Sequence, residues 1–210
     1  MIEIFSSAFL TLLVIIDPPG CAPIFASLTA GTDQQHRRAM AIRSCMVAWF
    51  ILLFFALFGE WLLSHMGISL SAFRLAGGIM LFMIALDMVF ERRTERREER
   101  AEEIRGTPEA EDISVFPMAI PMIAGPGSIA SIMLLNAKAD GLNQSLIVLG
   151  SMTAVILLTL AALLAAGPLM KFIGPKLEAM ITRILGVILA ALATQFVLDG
   201  LERSLPGLAA

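Results

Sequence analysis

The sequence predicts an all-α polytopic membrane protein: six transmembrane helices forming two inverted three-helix repeats, with helices 1 and 4 broken near the midplane. Three observations predict it. First, 58% of the 210 residues are hydrophobic, 16% are charged and the mean hydropathy is +0.84; soluble domains run at roughly 45–50% apolar and about 25% charged. Second, 14 of the charged residues are packed into positions 91–111, leaving the rest nearly charge-free. Third, apolar stretches of membrane-spanning length recur, and two carry Pro/Gly breaks at matching places. This pattern excludes an ordinary soluble enzyme, a disordered chain and a nucleic-acid binder, which needs a basic face.

The spans follow in order. Residues 4–30, 44–63, 73–90, 113–136, 145–166 and 181–198 are each apolar, with lengths near the ~20 residues that cross a bilayer. Lipid leaves only helices or closed barrels, and no alternating strand pattern is present. Span 1 is expected to stay in the mature chain, because Met1-Ile2-Glu3 puts an acid where a signal peptide has bases. Cys21 in span 1 and Cys45 in span 2 read as free buried thiols. Span 3 runs into residues 91–112, a charged cytoplasmic linker of mixed sign containing Gly106-Thr107-Pro108. Residues 1–90 then form the first repeat, and 113–210 the second with a short C-terminal tail. Glu60 and Asp87 lie near span ends, as interfacial residues do. In span 6, Gly186, Ala190 and Thr194 form a small-residue packing stripe beside Gln195.

The connections after spans 1, 3 and 5 hold 12 of the 15 Lys and Arg residues: Arg37, Arg38 and Arg43; Arg92, Arg93, Arg96, Arg97, Arg100 and Arg105; Lys171, Lys176 and Arg183. The other face has Arg74, Lys138 and Arg203. The positive-inside rule places the rich side in the cytoplasm and both termini outside. The expected location is the bacterial inner membrane, with periplasmic or extracellular ends.

The halves resemble each other. Arg74-Leu75-Ala76-Gly77-Gly78-Ile79 aligns with Arg183-Ile184-Leu185-Gly186-Val187-Ile188, Gly59 with Gly167, and Pro19-Gly20 with Pro126-Gly127, at offsets of 109, 108 and 107. With three spans per half, the second enters from the opposite face, an architecture common in secondary transporters.

Asp17-Pro18-Pro19-Gly20 interrupts span 1, and Gly125-Pro126-Gly127-Ser128, preceded by Pro117 and Pro121, interrupts span 4. Proline lacks the N–H that a continuous helix needs. Asp17 suits the cap of a second half-helix with Pro18 in its first position. Two half-helix N-termini facing one centre would attract an anion such as a carboxylate. Asp17 is the one acid deep within a span, and such a group marks an ion or substrate path. The expected substrate-binding residues are Asp17, Pro18, Pro19, Gly20, Cys21, Gly125, Pro126, Gly127, Ser128 and Gln195, with Asp17 also the ion-coupling residue. No HExxH, CxxC, nucleotide loop or nucleophile set occurs, so neither an enzyme nor a cofactor or metal is expected.

The stretch Asp17-Pro18-Pro19-Gly20-Cys21-Ala22-Pro23 resembles the D-P-x-G-N-x-P signature of the MarC family. Pro117-Met118-Ala119-Ile120-Pro121 with Ala124-Gly125-Pro126-Gly127 resembles its second signature, and Arg74-Leu75-Ala76-Gly77-Gly78 also fits. The likeness covers essentially the whole chain. It implies a six-span inner-membrane protein of the LysE-type transporter superfamily, in which some members are regarded as carriers of glycine and alanine. Cys21 stands where the family usually has Asn, and Pro19 where an aliphatic residue is common. The expected function is therefore secondary transport of a small metabolite, a neutral amino acid first, with proton or sodium coupling. The alternative is a non-transporting inner-membrane scaffold or stress factor. The expected partners are a small-molecule substrate and the lipid bilayer, not nucleic acid; an oligomer is compatible with the sequence.

Overall fold

The computed structural model describes residues 1–90, 99 and 112–204. The proposed linker and the final tail residues fall outside the described residues, as do the side chains of Lys171 and Lys176. The elements are helical: α1 (Ile2–Ile16), α2 (Pro18–Leu28), α3 (Gln34–His65), α4 (Leu70–Val89), α5 (Ser114–Ile123), α6 (Pro126–Ala137), α7 (Gly141–Leu164) and α8 (Ala166–Ser204). No strand occurs among the described residues. Five segments are long and apolar enough to cross a membrane, and α5 with α6 makes a sixth, bent by 55°. Both cysteines are free and buried, as their apolar neighbours predict.

Helix ends depart from the hydropathy bounds for physical reasons. The helix of the second span, α3, starts at Gln34 rather than 44, because Asp33 caps it: its Oδ2 accepts the Gln35 N–H at 2.9 Å. Residues 34–38 are polar yet helical, so hydropathy does not count this first stretch. The connection after α7 is helical as well, with one break at Gly174, whose φ of 67° only glycine adopts easily.

The first span is the most deeply buried of the five continuous spans. Its most apolar window is 72% buried, against 28–39% for the spans of α3, α4, α7 and α8. One core packs α1, α2, α3, α5, α6 and α7 together around Leu12, Ile16, Phe25, Leu52, Met118 and Met152. A second joins α1, α4, α6 and α8 around Val14, Leu81, Leu134 and Leu189. α4 packs mainly on α8, antiparallel and very close. A Cβ on Gly78 would lie 2.9 Å from the Ala193 carbonyl oxygen, one on Gly186 3.1 Å from that of Ala85, and one on Gly200 2.9 Å from the Leu75 nitrogen. Small residues allow this backbone approach where lipid supplies no hydrophobic drive. Of the expected stripe, Gly186 lies in this seam while Thr194 is exposed, and on α4 the seam glycine is Gly78. Gly77 faces Ala130 and Leu134 of α6 instead.

Polar side chains tie helices across the bundle. Trp49 Nε1 donates to Thr153 Oγ1 at 3.0 Å, Asn136 Nδ2 to the Ala56 carbonyl at 2.7 Å and Ser151 Oγ to the Phe5 carbonyl at 3.2 Å. Two contacts bring the arginine-rich connections to one end: Arg43 pairs with Asp112, and the Arg37 fork lies against Gly167. Lys138 and Asp199 pair elsewhere, at 3.0 Å, joining the end of α6 to α8.

A candidate site at two interrupted helices

At the first interruption, Asp17 takes a left-handed conformation, φ 58° and ψ 66°, closing α1 and opening α2. Aspartate tolerates this region better than most residues do. Pro18 occupies the first position of α2, where its missing N–H costs nothing. Asp17 Oδ1 accepts the Gly20 N–H at 3.2 Å, the cap that the sequence predicts. The carboxylate is nevertheless only 1% exposed. Cys21 gives its thiol to the Ile16 carbonyl at 3.4 Å, so it serves the bend. Pro18, Gly20 and Cys21 are buried and Pro19 is half-buried.

The second interruption is broader than the expected kink. Phe116 and Ile120 have extended backbones, φ −125° at each, because each precedes a proline that disfavours the α conformation. Both X–Pro bonds, before Pro117 and Pro121, are cis. The amides that remain bond five residues back, Met118 to the Ile113 carbonyl and Ala124 to that of Ala119. Hence the first half of this span is a wide, partly extended turn rather than an α-helix. Gly125 then caps α6 and Pro126 begins it. Gly125 has no room for a side chain: a Cβ would sit 2.3 Å from the Pro121 carbonyl oxygen. Gly125 brings no side-chain cap to α6, whose first amides have no partner within the helix.

The two interruptions adjoin. A Cβ on Gly127 would approach Ile84 Cδ1 at 2.8 Å, Leu81 Cδ2 at 3.2 Å and Ile15 Cγ2 at 3.5 Å, and Ile15 is two residues before Asp17. Gly125, Gly127 and Ser128 are buried, whereas Pro126 is exposed. Ser131, one turn further into α6, is fully buried and its hydroxyl has no hydrogen-bond partner. Gln195 lies on an exposed part of α8 and donates to Asp199 Oδ1 at 2.7 Å, alongside Lys138.

The sequence reading missed one residue here. Arg74, counted there only among the cations of the poorer face, lies in α4 and is 1% exposed, with Nε and Nη1 lacking hydrogen-bond partners. Its signals were the alignment with Arg183 and its place in the Arg74-Leu75-Ala76-Gly77-Gly78 stretch. At the arginine-rich end, Asp112 accepts the Ser114 N–H at 3.0 Å and pairs with Arg43. Ser114 beside it, and then the Arg43 guanidinium, hold its carboxyl below the usual carboxylate range.

Two helix starts adjoin here, that of α2 capped by the buried Asp17 carboxylate and that of α6 by Gly125, which has no side chain. The likeness to known proteins agrees with an integral membrane protein. The family model for MarC family integral membrane proteins matches residues 2–205. A UPF0056 membrane protein of Methanocaldococcus jannaschii is 36% identical over 204 residues, covering 97% of this chain and 98% of the relative. A UPF0056 inner membrane protein, YhgN, of Escherichia coli is 33% identical over 211 residues, covering 99% and 100%. YvbG of Bacillus subtilis, a UPF0056 membrane protein, is 33% identical over 206 residues, covering 98% of each. No solved structure matches the chain. With that coverage across archaea and bacteria, the chain belongs to the MarC family of integral membrane proteins.

Proposed function

We propose that the protein is a secondary transporter, built from two inverted three-helix repeats, that moves a small zwitterion of the neutral amino acid class. The observation that carries this reading is the difference between the two helix starts. The α2 start already holds an anion, the Asp17 carboxylate, while the α6 start has no side-chain cap. A substrate carboxylate then belongs at the α6 amides, and its ammonium at Asp17. This shifts the weight of the expected site: α6 supplies the anion end alone. Ser128 lines it, and Gln195, held by Asp199, has at most an outer role. Asp17 is also the group at which a proton or sodium ion would couple to transport, since only a ligand that binds two states unequally shifts them. The inverted repeat is supported by the antiparallel α4–α8 seam, in which equivalent elements of the two halves face each other through glycines. The arginine-rich end, with Arg37, Arg43 and Gly167 together, is the cytoplasmic one by the positive-inside rule, which puts both termini outside.

Uptake of labelled glycine and alanine into proteoliposomes, with and without a proton or sodium gradient, tests the function. Accumulation that Asp17→Asn abolishes supports the reading. Equal, background-level signals from wild type and Asp17→Asn for every amino acid tried would overturn it in favour of a non-transporting membrane protein.

A further inference from the structure

A cavity of about 400 Å³ opens between the end of α2, the start of α3 and the α7–α8 turn. Its polar wall is Gln34, Arg37 and Arg38, and its apolar wall includes Phe25, Ile42 and Leu164. Arg37 is the informative residue. Its guanidinium carbon lies 5.7 Å from the centre of the Phe25 ring, and a Cβ on Gly167 would lie 3.7 Å from both terminal nitrogens. Ring and turn therefore fix the fork in place. Yet Arg37 Nη2 is buried with no hydrogen-bond partner. A guanidinium N–H withdrawn from water costs free energy until an acceptor meets it, and the planar fork matches a phosphate. Arg38 adds a second positive charge at the mouth.

The rim decides between sources of phosphate. Ile42 is 45% exposed and Leu164 46% exposed beside these arginines. A soluble anion would leave that apolar rim uncovered, whereas a lipid places acyl chains there and its phosphate inside. We propose that this cavity is a binding site for the headgroup phosphate of an anionic phospholipid. Membrane leaflets rich in such lipids attract juxtamembrane arginines by charge, and basic pockets between spans hold their headgroups.

The test uses the full chain, purified in detergent and titrated with short-chain phosphatidylglycerol, with thermal unfolding as the readout. Phosphatidylglycerol should raise the unfolding midpoint saturably and phosphatidylcholine should not. Each arginine contributes a factor of roughly five in half-saturation, so Arg37→Gln should weaken the response about fivefold and Arg37→Gln with Arg38→Gln about 25-fold. Arg38 is exposed, so Arg38→Gln alone carries the comparison if Arg37→Gln proves unstable. An equal response to phosphatidylcholine, or variants that respond as wild type does, would overturn the proposal. So would the same protection from inorganic phosphate at equal concentration, which would make the ligand a soluble anion.

Discussion

Adding one methyl group at Gly125 should disrupt this protein more than adding one at Gly127, although both glycines are buried in the same interruption. At Gly125 the new Cβ meets the Pro121 carbonyl oxygen at 2.3 Å, and ordinary contact begins at 3.4 Å. The carbonyl must retreat by about 1 Å in an interior packed as densely as a crystal. That oxygen is backbone, held between two proline-constrained turns, and it has no rotamer to change. At Gly127 the nearest atoms are the tips of Ile84 and Leu81, at 2.8 and 3.2 Å, and these can swing. Overpacking costs about 1–3 kcal/mol; Gly125→Ala belongs at the upper end, about 3 kcal/mol, and Gly127→Ala near 1 kcal/mol. For a chain of this size, the first corresponds to a fall of about 6–12 °C in Tm, the second to about 2–4 °C. Intrinsic fluorescence of Trp49 and Trp61 during heating in detergent reports both. If Gly125→Ala melts with or above Gly127→Ala, the close carbonyl contact is not what requires glycine there.

Other outcomes follow from the same contacts. Asp17→Asn keeps an acceptor for the Gly20 N–H and tolerates the left-handed backbone, so its stability should stay within about 1 kcal/mol of wild type. Asp17→Ala loses cap and tolerance together and should cost about 2 kcal/mol or more by the same melting assay. Gly78→Ala and Gly200→Ala each force α4 and α8 backbones apart and should each lower stability by about 1–3 kcal/mol; double-mutant additivity would show that they act at separate points. Because Asp112 is depressed in the folded state, its contribution is present above the unfolded carboxylate value of 3.8 and disappears as pH falls below it. The Tm gap between wild type and Asp112→Asn should therefore be constant at neutral pH and close below pH 3.8. A gap that widens on acidification would reverse the sign. Cys21 and Cys45, both buried, should resist maleimide in the folded protein, so that single cysteines placed near Lys138 report sidedness cleanly.

Much of the fold was legible because lipid imposes a simple rule: apolar runs of sufficient length become helices. The centres of the spans follow from it. Their ends do not, because water-exposed helix such as residues 34–38 depends on a cap at Asp33 and not on hydropathy. The Asp17 break was legible down to its hydrogen bond, since the cap, the proline and the turn are all local chemistry. The partly extended form of α5 was written in Pro117 and Pro121, whose effect falls on Phe116 and Ile120, the residues before them. What stayed hidden was non-local. Nothing near Gly78 in sequence announces the Ala193 carbonyl oxygen at its Cα, and nothing near Arg74 announces that it ends up 1% exposed. Such facts arise only when distant segments meet.

The buried position of the first span has a mechanical consequence. A bilayer acts on a protein through the helices it touches, tilting or stretching them to match its thickness. Here α3, α4, α7 and α8 take that load, each with most of its apolar window facing outward. The interrupted chain around Asp17 is shielded by them, so membranes of different thickness would strain the outer wall first. The backbone break at Asp17 is thereby insulated from the changes a cell makes in its lipids.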